Sequence, residues 1–297
     1  MVLTISLPTG ITAKCAGIEV WMERAAERAK RVDSRWRVDD VHDLRVALRR
    51  CRTMADALRE VNPNAGWRRL KKSSRDLFHA LGDLRDVQVE RAWVKQLSEG
   101  GDPVRKRMLR PLARKERRYR RAAAAALDDF DAKAWRKLAR RLASKAQFFP
   151  LESVVFQRLA LARLNAAQEQ YRRAVKAPTS AAWHRLRIGI KGFRYVVENF
   201  LPQRYEAWAE GLKFAQDMLG DVHDLDVLER ELHGQAAETG ELPIAEWSEK
   251  IAAERKQRLE RFLARAEGPH SIWSQWRAGF HAGQVIAAAR FPEKRSA

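Results

Sequence analysis

Two segments of this sequence carry basic side chains at a spacing that suits phosphate binding. The first reads VHDLRVALRRCR (41–52), the second reads WHRLRIGIKGFR (183–194), and the two align without a gap. Because successive residues of a helix are about 100° apart, each segment collects four nitrogen-bearing side chains within about 80° of one face. These two basic stripes are His42, Arg45, Arg49 and Arg52 in the first segment, and His184, Arg187, Lys191 and Arg194 in the second.

The stripes are unfavourable unless an anion lies between their side chains. Like charges three or four residues apart destabilise an isolated helix by about 0.2–0.5 kcal/mol per pair. A face that serves only solubility does not need the same unfavourable placement in two segments. Arginine offers two parallel N–H groups to phosphate oxygens, so we expect the stripes to bind a phosphate-bearing ligand.

Helices must position these stripes, and helical signals dominate the chain. Ala, Leu, Arg, Glu and Lys fill the long segments, and glycine and proline fall mostly between them. Convincing alternating strand patterns are absent, which predicts an all-α protein of about ten helices. We expect Asp40 and Ser180 to cap the helices that carry the stripes. Breaks between helices are predicted at residues 62–64, 100–103, 149–150, 178–180, 201–202, 240–243 and 268–269.

A second pair of motifs indicates an internal duplication. LGDLRDVQV (81–89) follows the first stripe, and LGDVHDLDV (219–227) follows the second at nearly the same distance. Two motifs in the same order are improbable by chance. We therefore interpret the chain as a duplicated helical unit joined near Phe149 and Pro150.

The charge of the chain narrows the choice of partner. Its 58 Lys and Arg residues against 38 Asp and Glu give a formal net charge of +20. This excess favours a polyanion, which is a nucleic acid, an anionic membrane surface or a soluble phosphate polymer. The alternative is a protein that is basic without a specific partner.

Composition excludes several other classes of protein. Apolar residues make up 45 % of the 297 residues, so the chain is not a disordered basic tail. No apolar run approaches the roughly 18 residues that a membrane span needs. Cys15 and Cys51 are too few for a disulfide scaffold or a zinc cage. The N-terminal segment is a poor secretory signal, so we expect a soluble, cytoplasmic protein.

Further basic residues lie outside the stripes. Before the first LGD motif, Arg68, Lys72 and Arg75 share one helix face, and Lys213 takes the corresponding place before the second motif. A longer row follows Pro103 at spacings of three and four residues, and surface charge for solubility is the competing interpretation of it. This row contains Arg107, Arg110, Arg114, Arg117 and Arg121.

Four ordered motifs together resemble the CHAD domain family. They read H-D-L-R-V-x-x-R-R-x-R, L-G-D-x-R-D, H-R-L-R-I-x-x-K-x-x-R-Y-x-x-E and L-G-D-x-x-D. The resemblance covers residues 12–291 as one domain of two repeats, 12–148 and 151–291, with tails at 1–11 and 292–297. It implies two antiparallel four-helix bundles related by a pseudo-two-fold, with basic faces lining a central cavity or groove.

The resemblance also implies a ligand and the residues that bind it. The ligand is inorganic polyphosphate, and the implied location is the polyphosphate granule, with granule proteins as further partners. The binding residues implied by position are both basic stripes together with Arg75 and Lys213. Arg68, Lys72, Arg114, Arg117 and Arg121 are weaker candidates.

Two features depart from the family pattern. Gly189 and Gly192 lie inside the second basic helix, where each costs up to about 1 kcal/mol relative to alanine. Many relatives carry an N-terminal triphosphate-tunnel domain with an E-x-E-x-K signature, and this chain has neither that motif nor the strands for a tunnel. Its absence removes the main reason to expect catalysis.

The LGD motifs and the histidines leave two interpretations open. Asp221, His223, Asp224 and Asp226 are close enough in sequence to suggest a metal, but Asp226 does not share the helix face of the other carboxylates. We favour a structural role, in which carboxylates pair with arginines on neighbouring helices; these are Asp83, Asp86, Asp221 and Asp224. His42 and His184 either meet and bind a metal or, as we prefer, bind phosphate when protonated.

We expect a binding protein rather than an enzyme, without a metal or a cofactor. The sequence has no Ser-His-Asp order, glycine-rich phosphate loop, dinucleotide-binding fingerprint or H-E-x-x-H motif. A phosphatase or kinase acting on polyphosphate is the least favoured alternative. The main alternative is a helical nucleic-acid-binding protein. Five tryptophans look like helix-packing residues rather than residues that stack on bases, so nucleic acid is expected only as a non-specific competitor. They are Trp36, Trp67, Trp93, Trp135 and Trp208.

Overall fold

All regular structure in the described part of the chain is helical. The computed structural model describes residues 17–32, 36–239 and 244–280, and it contains eleven helices and no strand within those ranges. The prediction of an all-α protein is confirmed. The helices are α1 (Ile18–Arg31), α2 (Val38–Val61), α3 (Ala65–Ser73), α4 (Arg75–Gln96), α5 (Pro103–Asp128), α6 (Ala132–Ala146), α7 (Val154–Lys176), α8 (Ser180–Phe200), α9 (Pro202–Thr239), α10 (Ile244–Ala266) and α11 (Ile272–Ala278).

Most helix boundaries fall at the predicted breaks, but three do not. One is the boundary between α1, which ends at Arg31, and α2, which begins at Val38. Ser74 separates α3 from α4, and α5 ends before Asp129 although no glycine or proline lies nearby. After α5 the side chain of Asp131 accepts a hydrogen bond from the Ala134 amide and starts α6. The predicted break at 240–243 and the outer parts of the predicted domain, residues 12–16 and 281–291, lie outside the described residues.

Both predicted helix caps are wrong. Helix α2 begins at Val38, so Asp40 lies within its first turn, and its cap position is Arg37. Helix α8 already includes Ser180, because the preceding Thr179 accepts the hydrogen bond from the Ala182 amide at 3.1 Å. Threonine and serine are both good caps, and the sequence does not say which of two neighbours starts the helix.

The helices pack in the same succession in each half of the chain. In the first half α2 contacts α1 and α4, and α4 contacts α5. In the second half α8 contacts α7 and α9, and α9 contacts α10. This order agrees with a duplicated unit, whereas the pseudo-two-fold relation stays a prediction. Contacts between α2 and α8 and between α4 and α9 join the halves.

The hydrophobic core runs through both halves. Its larger cluster includes residues from each of the helices α1 to α11. A smaller cluster joins α4 and α5 to α9 and α10 through residues such as Trp93, Met108, Leu228 and Trp247. The five tryptophans predicted to pack helices are all buried. Burial of each large apolar side chain stabilises the folded protein by about 1.5–3 kcal/mol. The packing of this core therefore sets how the two halves cross.

A buried ion pair clamps α2 against α8. Arg50 on α2 is bonded to Glu198 on α8, whose side chain is 7 % exposed. The Asn199 amide donates a hydrogen bond to the Thr53 hydroxyl at 3.1 Å. Glu198 also lies 3.7 Å from the Arg194 Nε. This clamp fixes the register in which the two basic stripes meet.

The two glycines of α8 differ in their surroundings. A Cβ on Gly189 would lie 3.3 Å from the Ala167 Cα of α7, which is tighter than ordinary packing. A Cβ on Gly192 would meet no described atom within 4 Å. Gly189 therefore allows α7 and α8 to approach closely, and Gly192 has no such packing role among the described residues.

We predict that Gly192→Ala stabilises the protein by about 0.5–1 kcal/mol, because alanine is the better helix former and has room there. Gly189→Ala should gain less or lose stability, because α7 must move to admit the new methyl group. Urea unfolding of both variants measures the difference, and equal stabilisation of the two would contradict the assigned packing.

We predict that Glu198→Gln destabilises the protein by about 3 kcal/mol, because two largely buried arginines lose their counter-charge. Glu169→Gln is a matched control, since Glu169 pairs with Arg172 and Arg173 on an exposed face of α7. That control should change the free energy of unfolding by less than about 1 kcal/mol. Similar losses for both variants would refute the clamp.

Candidate anion-binding site

The crossing of α2 and α8 brings the two basic stripes together. We call Arg45, Arg49, Arg187 and Lys191 the central cluster. Burial, followed by the charges of Arg187, Arg49 and Arg45 in that order, lowers the pKa of Lys191 to about 8. Cations from both halves therefore act on one ammonium group at this crossing.

Aromatic and backbone surfaces support the cluster's guanidinium groups. The Arg45 guanidinium lies 5.7 Å from the Phe78 ring centroid, and its Nε would be 3.9 Å from a Cβ on Gly82. It therefore rests on α4 over the glycine of the first LGD motif. The Arg49 guanidinium lies 5.4 Å from the Tyr195 ring centroid on α8. Cation–π contacts of this kind offset part of the cost of burying a charge.

Several buried donors of the stripes have no hydrogen-bond partner. They are the Nε atoms of Arg45, Arg49, Arg187 and Arg194. A buried donor left unpaired costs about 1–3 kcal/mol, and folded proteins contain few of them. The Arg194 Nε lies near the Glu198 carboxylate, but the other three donors belong to the central cluster and mark a place where an anion would satisfy them.

Two carboxylates face the central cluster, one from each LGD motif. They are Asp86 on α4 and Asp224 on α9, which occupy equivalent places in the two motifs. Asp86 is exposed as a whole residue. Partial desolvation of its carboxyl by the surrounding protein raises its pKa, and the positive charge of Arg45 opposes that rise. Burial raises the pKa of Asp224 to about 6, and Arg187 opposes that rise. These two carboxylates partly neutralise the positive charge of the cluster.

The histidines pair with the LGD helices. The Nδ1 atoms of His184 and His223 are 3.0 Å apart, so one ring donates a hydrogen bond to the other. Burial and Arg187 lower the pKa of His223 to about 4. Burial, followed by the charge of Arg85, lowers the pKa of His42. His184 therefore meets His223 rather than His42, and the lowered pKa values of His42, His184 and His223 keep these histidines neutral near pH 7.

Sequence reasoning missed the partners of the two histidines. Arg85 and His223 take the same place in the two LGD motifs, and each acts on the histidine of its own half. Aligning the motifs position by position would have revealed this correspondence. Arg50 and Glu198 also stand in the quoted motifs, but the alignment of the repeats does not pair them.

The remaining stripe residues have protein partners. Arg52 donates hydrogen bonds to the Lys71 carbonyl at 2.6 Å and the Ser74 hydroxyl at 3.3 Å, at the junction of α3 and α4. Arg194 Nη1 donates to the Gln216 side chain at 2.8 Å. These two arginines lie at the same position of the repeat, and each ties its stripe to the helix that follows. Both keep a structural role beside any contact with an anion.

The other predicted binding residues lie on the surface. The prediction that Arg68, Lys72 and Arg75 share one helix face is wrong, because Ser74 ends α3 and Arg75 begins α4. Arg75 pairs with Asp76, Lys213 pairs with Asp217, and the side chains of the two cations are 63 % and 72 % exposed. Of these two cations, only Arg75 has a described interaction with a stripe residue: its positive charge lowers the pKa of Arg52. The weaker candidates are all exposed, and no described contact joins them to the central cluster: Arg68, Lys72, Arg114, Arg117 and Arg121.

The acidic residues of the second LGD helix form ion pairs. Arg258 on α10 donates to Asp221 at 2.9 Å, and Arg255 donates to Asp226 at 2.6 Å. The structural role predicted for Asp221 is therefore confirmed. Over residues 17–32, 36–239 and 244–280, no group of three or more His, Cys, Asp or Glu side chains is arranged to hold a metal ion.

Two cavities lie away from the central cluster. One of about 750 Å³ lies between the end of α4, the start of α5 and Trp247 of α10. Another of about 410 Å³ lies between α3 and α6, beside Trp135. Neither is lined by stripe residues, and the predicted central channel stays a prediction. None of the helices in the described ranges has the length and hydropathy needed to cross a bilayer.

Comparisons with known proteins agree with this architecture. The family model for the CHAD domain matches residues 21–233. The crystal structure of the CHAD domain from the plant Ricinus communis superposes with a TM-score of 0.59 at 19 % sequence identity. The superposition covers 89 % of this chain and 91 % of that one, and at this identity it supports the fold alone. No curated protein sequence matches the chain. With more than half of its length matched by the family model, the chain belongs to the CHAD domain family.

Proposed function

We propose that this protein binds inorganic polyphosphate through the central cluster and does not change the polymer chemically. The observation that supports the proposal is that the buried Nε donors of Arg45, Arg49 and Arg187 have no hydrogen-bond partner in the protein. Phosphate oxygens are the acceptors that guanidinium groups bind best, often with two parallel hydrogen bonds. Membership of the CHAD family supports the same ligand.

A linear polymer suits the distribution of charge better than a single phosphate does. The cations come from two crossing helices, so a chain lying across them meets guanidinium groups from both halves. Arg52, Arg194, Arg75 and Lys213 extend the set beyond the cluster, although each has a protein partner. Every phosphate contact releases counterions, so affinity for the polymer should fall steeply with salt.

The proposed role is that of a non-catalytic binding protein. Phosphoryl transfer normally needs a metal ion or a base positioned against the attacking group. The carboxylates that face the cluster are opposed by Arg45 and Arg187, which favours a counter-charge role for them. On this proposal the protein resides in the cytoplasm at polyphosphate granules, with granule proteins as further partners. A phosphate-release assay with added magnesium should give no orthophosphate above background.

Nucleic acid is the second candidate ligand, because the net charge of +20 would attract its backbone. The buried state of Trp36, Trp67, Trp93, Trp135 and Trp208 removes them from base stacking. A competition experiment separates the two ligands. Excess single-stranded or duplex nucleic acid should displace bound polyphosphate only weakly, and efficient displacement at equal phosphate concentration would favour nucleic acid.

We predict that the double variant Arg45→Glu, Arg187→Glu loses at least about 100-fold in affinity for polyphosphate, because two charge-assisted contacts become repulsive. Fluorescence anisotropy with an end-labelled polyphosphate chain measures the loss. Arg140→Glu with Lys176→Glu makes the same change of net charge at exposed residues of α6 and α7. This control should bind within about threefold of the wild type. Unchanged affinity in the cluster variant, with native circular dichroism, would place the site elsewhere.

We predict that affinity for long polyphosphate falls as the pH rises from 5.5 to 9. Lys191 has a pKa of about 8, so it loses its positive charge above that pH. Asp224 has a pKa of about 6, so below that pH it loses the negative charge that repels phosphate. Internal phosphates of a long chain stay singly charged over this range, and the protein therefore sets the slope.

Two conservative variants assign the steps. Lys191→Arg should abolish the fall above pH 8, because its guanidinium stays protonated. Asp224→Asn should bind more tightly at pH 7.5 and lose the dependence between pH 5.5 and 7. A wild-type affinity that is independent of pH, or a Lys191→Arg variant with the wild-type profile, would refute this assignment.

A further inference from the structure

Helix α5 is strongly basic, and its cations fall into two groups. Its sequence contains ten Lys or Arg residues against Glu116 and Asp128. On the flanks of the helix, Lys115 pairs with Glu231 of α9, and Glu116 pairs with Arg91 of α4. These ion pairs hold α5 against its neighbours. The cations on the outward face are arranged differently.

Four arginines form an exposed row on the side of α5 that faces away from the core. We call Arg110, Arg114, Arg117 and Arg121 the outer row. The face packed against the rest of the protein carries Val104, Met108 and Leu112, all buried and on the opposite side of the helix. Among the described contacts, none of the four guanidinium groups of the outer row has an ion-pair or hydrogen-bond partner.

Helix α10 is the counterpart of α5 in the second half, and its cations are mostly neutralised. It packs on α9 as α5 packs on α4. Lys250, Lys256 and Arg258 each pair with a glutamate one turn away on the same helix. Arg255 and Arg265 pair with carboxylates of α9. The fold therefore does not require a row of unpaired cations at this position.

The outer row has the chemistry of a surface for a bare phosphate chain. Its arginines repeat every three or four residues and span about 16 Å of helix, at 1.5 Å per residue. None of the large exposed apolar side chains of the described residues lies on α5, which disfavours insertion into a lipid surface. The row itself contains no aromatic or amide side chain that would stack on or read a base.

We propose that the outer row is a second docking surface for polyphosphate, so that one molecule holds two chains and cross-links them. This inference rests on the proposed function, because the central cluster has to hold the first chain. The two surfaces differ in kind. The cluster offers partly buried donors, whereas the row offers solvated guanidinium groups whose contacts are weaker and more sensitive to salt.

The test compares two sets of neutral substitutions. The row variant carries Arg110→Gln, Arg114→Gln, Arg117→Gln and Arg121→Gln. The control variant removes four cations from α10 by Lys250→Gln, Lys256→Gln, Arg261→Gln and Arg265→Gln. Glutamine forms helices nearly as well as arginine and lysine, so circular dichroism should show native helicity in both.

Two measurements are made on the full-length chain. Anisotropy with a short polyphosphate, long enough only for the central cluster, reports the first site. Light scattering with long polyphosphate at increasing protein concentration reports cross-linking. We expect wild-type affinity for the short chain in both variants, scattering in the wild type and the α10 control, and at least about tenfold less scattering in the row variant.

The outcomes separate this inference from the proposed function. If the wild type binds neither polymer, the proposed function fails. If it binds the short chain but long chains never scatter, or if the row variant scatters like the wild type, the second surface is refuted. If the row substitutions reduce binding of duplex DNA but leave polyphosphate scattering intact, the occupant is a nucleic acid and the inference is overturned.

Discussion

The structure depends on holding like charges together at the crossing of α2 and α8. Two unit charges about 6 Å apart repel by about 3 kcal/mol at an effective dielectric constant of about 20. The cluster's four cations therefore oppose the contact between the two halves. Apolar packing around the crossing and the Arg50–Glu198 ion pair provide the opposing free energy. In sequence, Arg50 directly follows Arg49 of the cluster, and Glu198 lies a few residues after Arg194 of the second stripe. The crossing that brings the cations together therefore also carries the ion pair that secures them.

The carboxylates of the LGD motifs complete this balance. Asp86 and Asp224 contribute one negative charge from each half where the cations are densest. They lower the repulsion among the cations, but they also repel an incoming phosphate. Raised pKa values mean that these groups give up their charge readily, so taking up a proton can relieve the repulsion when an anion binds. A site tuned in this way favours stability when empty and strong binding only for a densely charged ligand.

The repeat pattern made much of the site predictable, because it identifies residues at equivalent positions in the two halves. It does not identify the groups that those side chains contact. The matched stripes grouped Arg45, Arg49, Arg187 and Lys191, and in the structure the charges of the three arginines act on Lys191. The same pattern grouped Arg52 with them, although its guanidinium is bonded to the α3–α4 junction. That junction contains no glycine or proline, so the sequence did not predict it. Helix α3 ends there at Ser74, whose hydroxyl donates a hydrogen bond to the Leu70 carbonyl. Helix phase gives the direction of a side chain, whereas its partner depends on a distant helix.

The two halves share a plan but differ in charge, and that difference bears on how an anion would lie. In the first half His42 faces Arg85, a fixed cation, whereas in the second His184 faces His223, which is neutral near pH 7. The outward helix of the first half carries an unpaired row, and that of the second is neutralised by its own glutamates. Both differences make the first half the more positive one. A flexible polyanion would therefore contact the first half more extensively than the second, even though the repeat places its principal ligands in both.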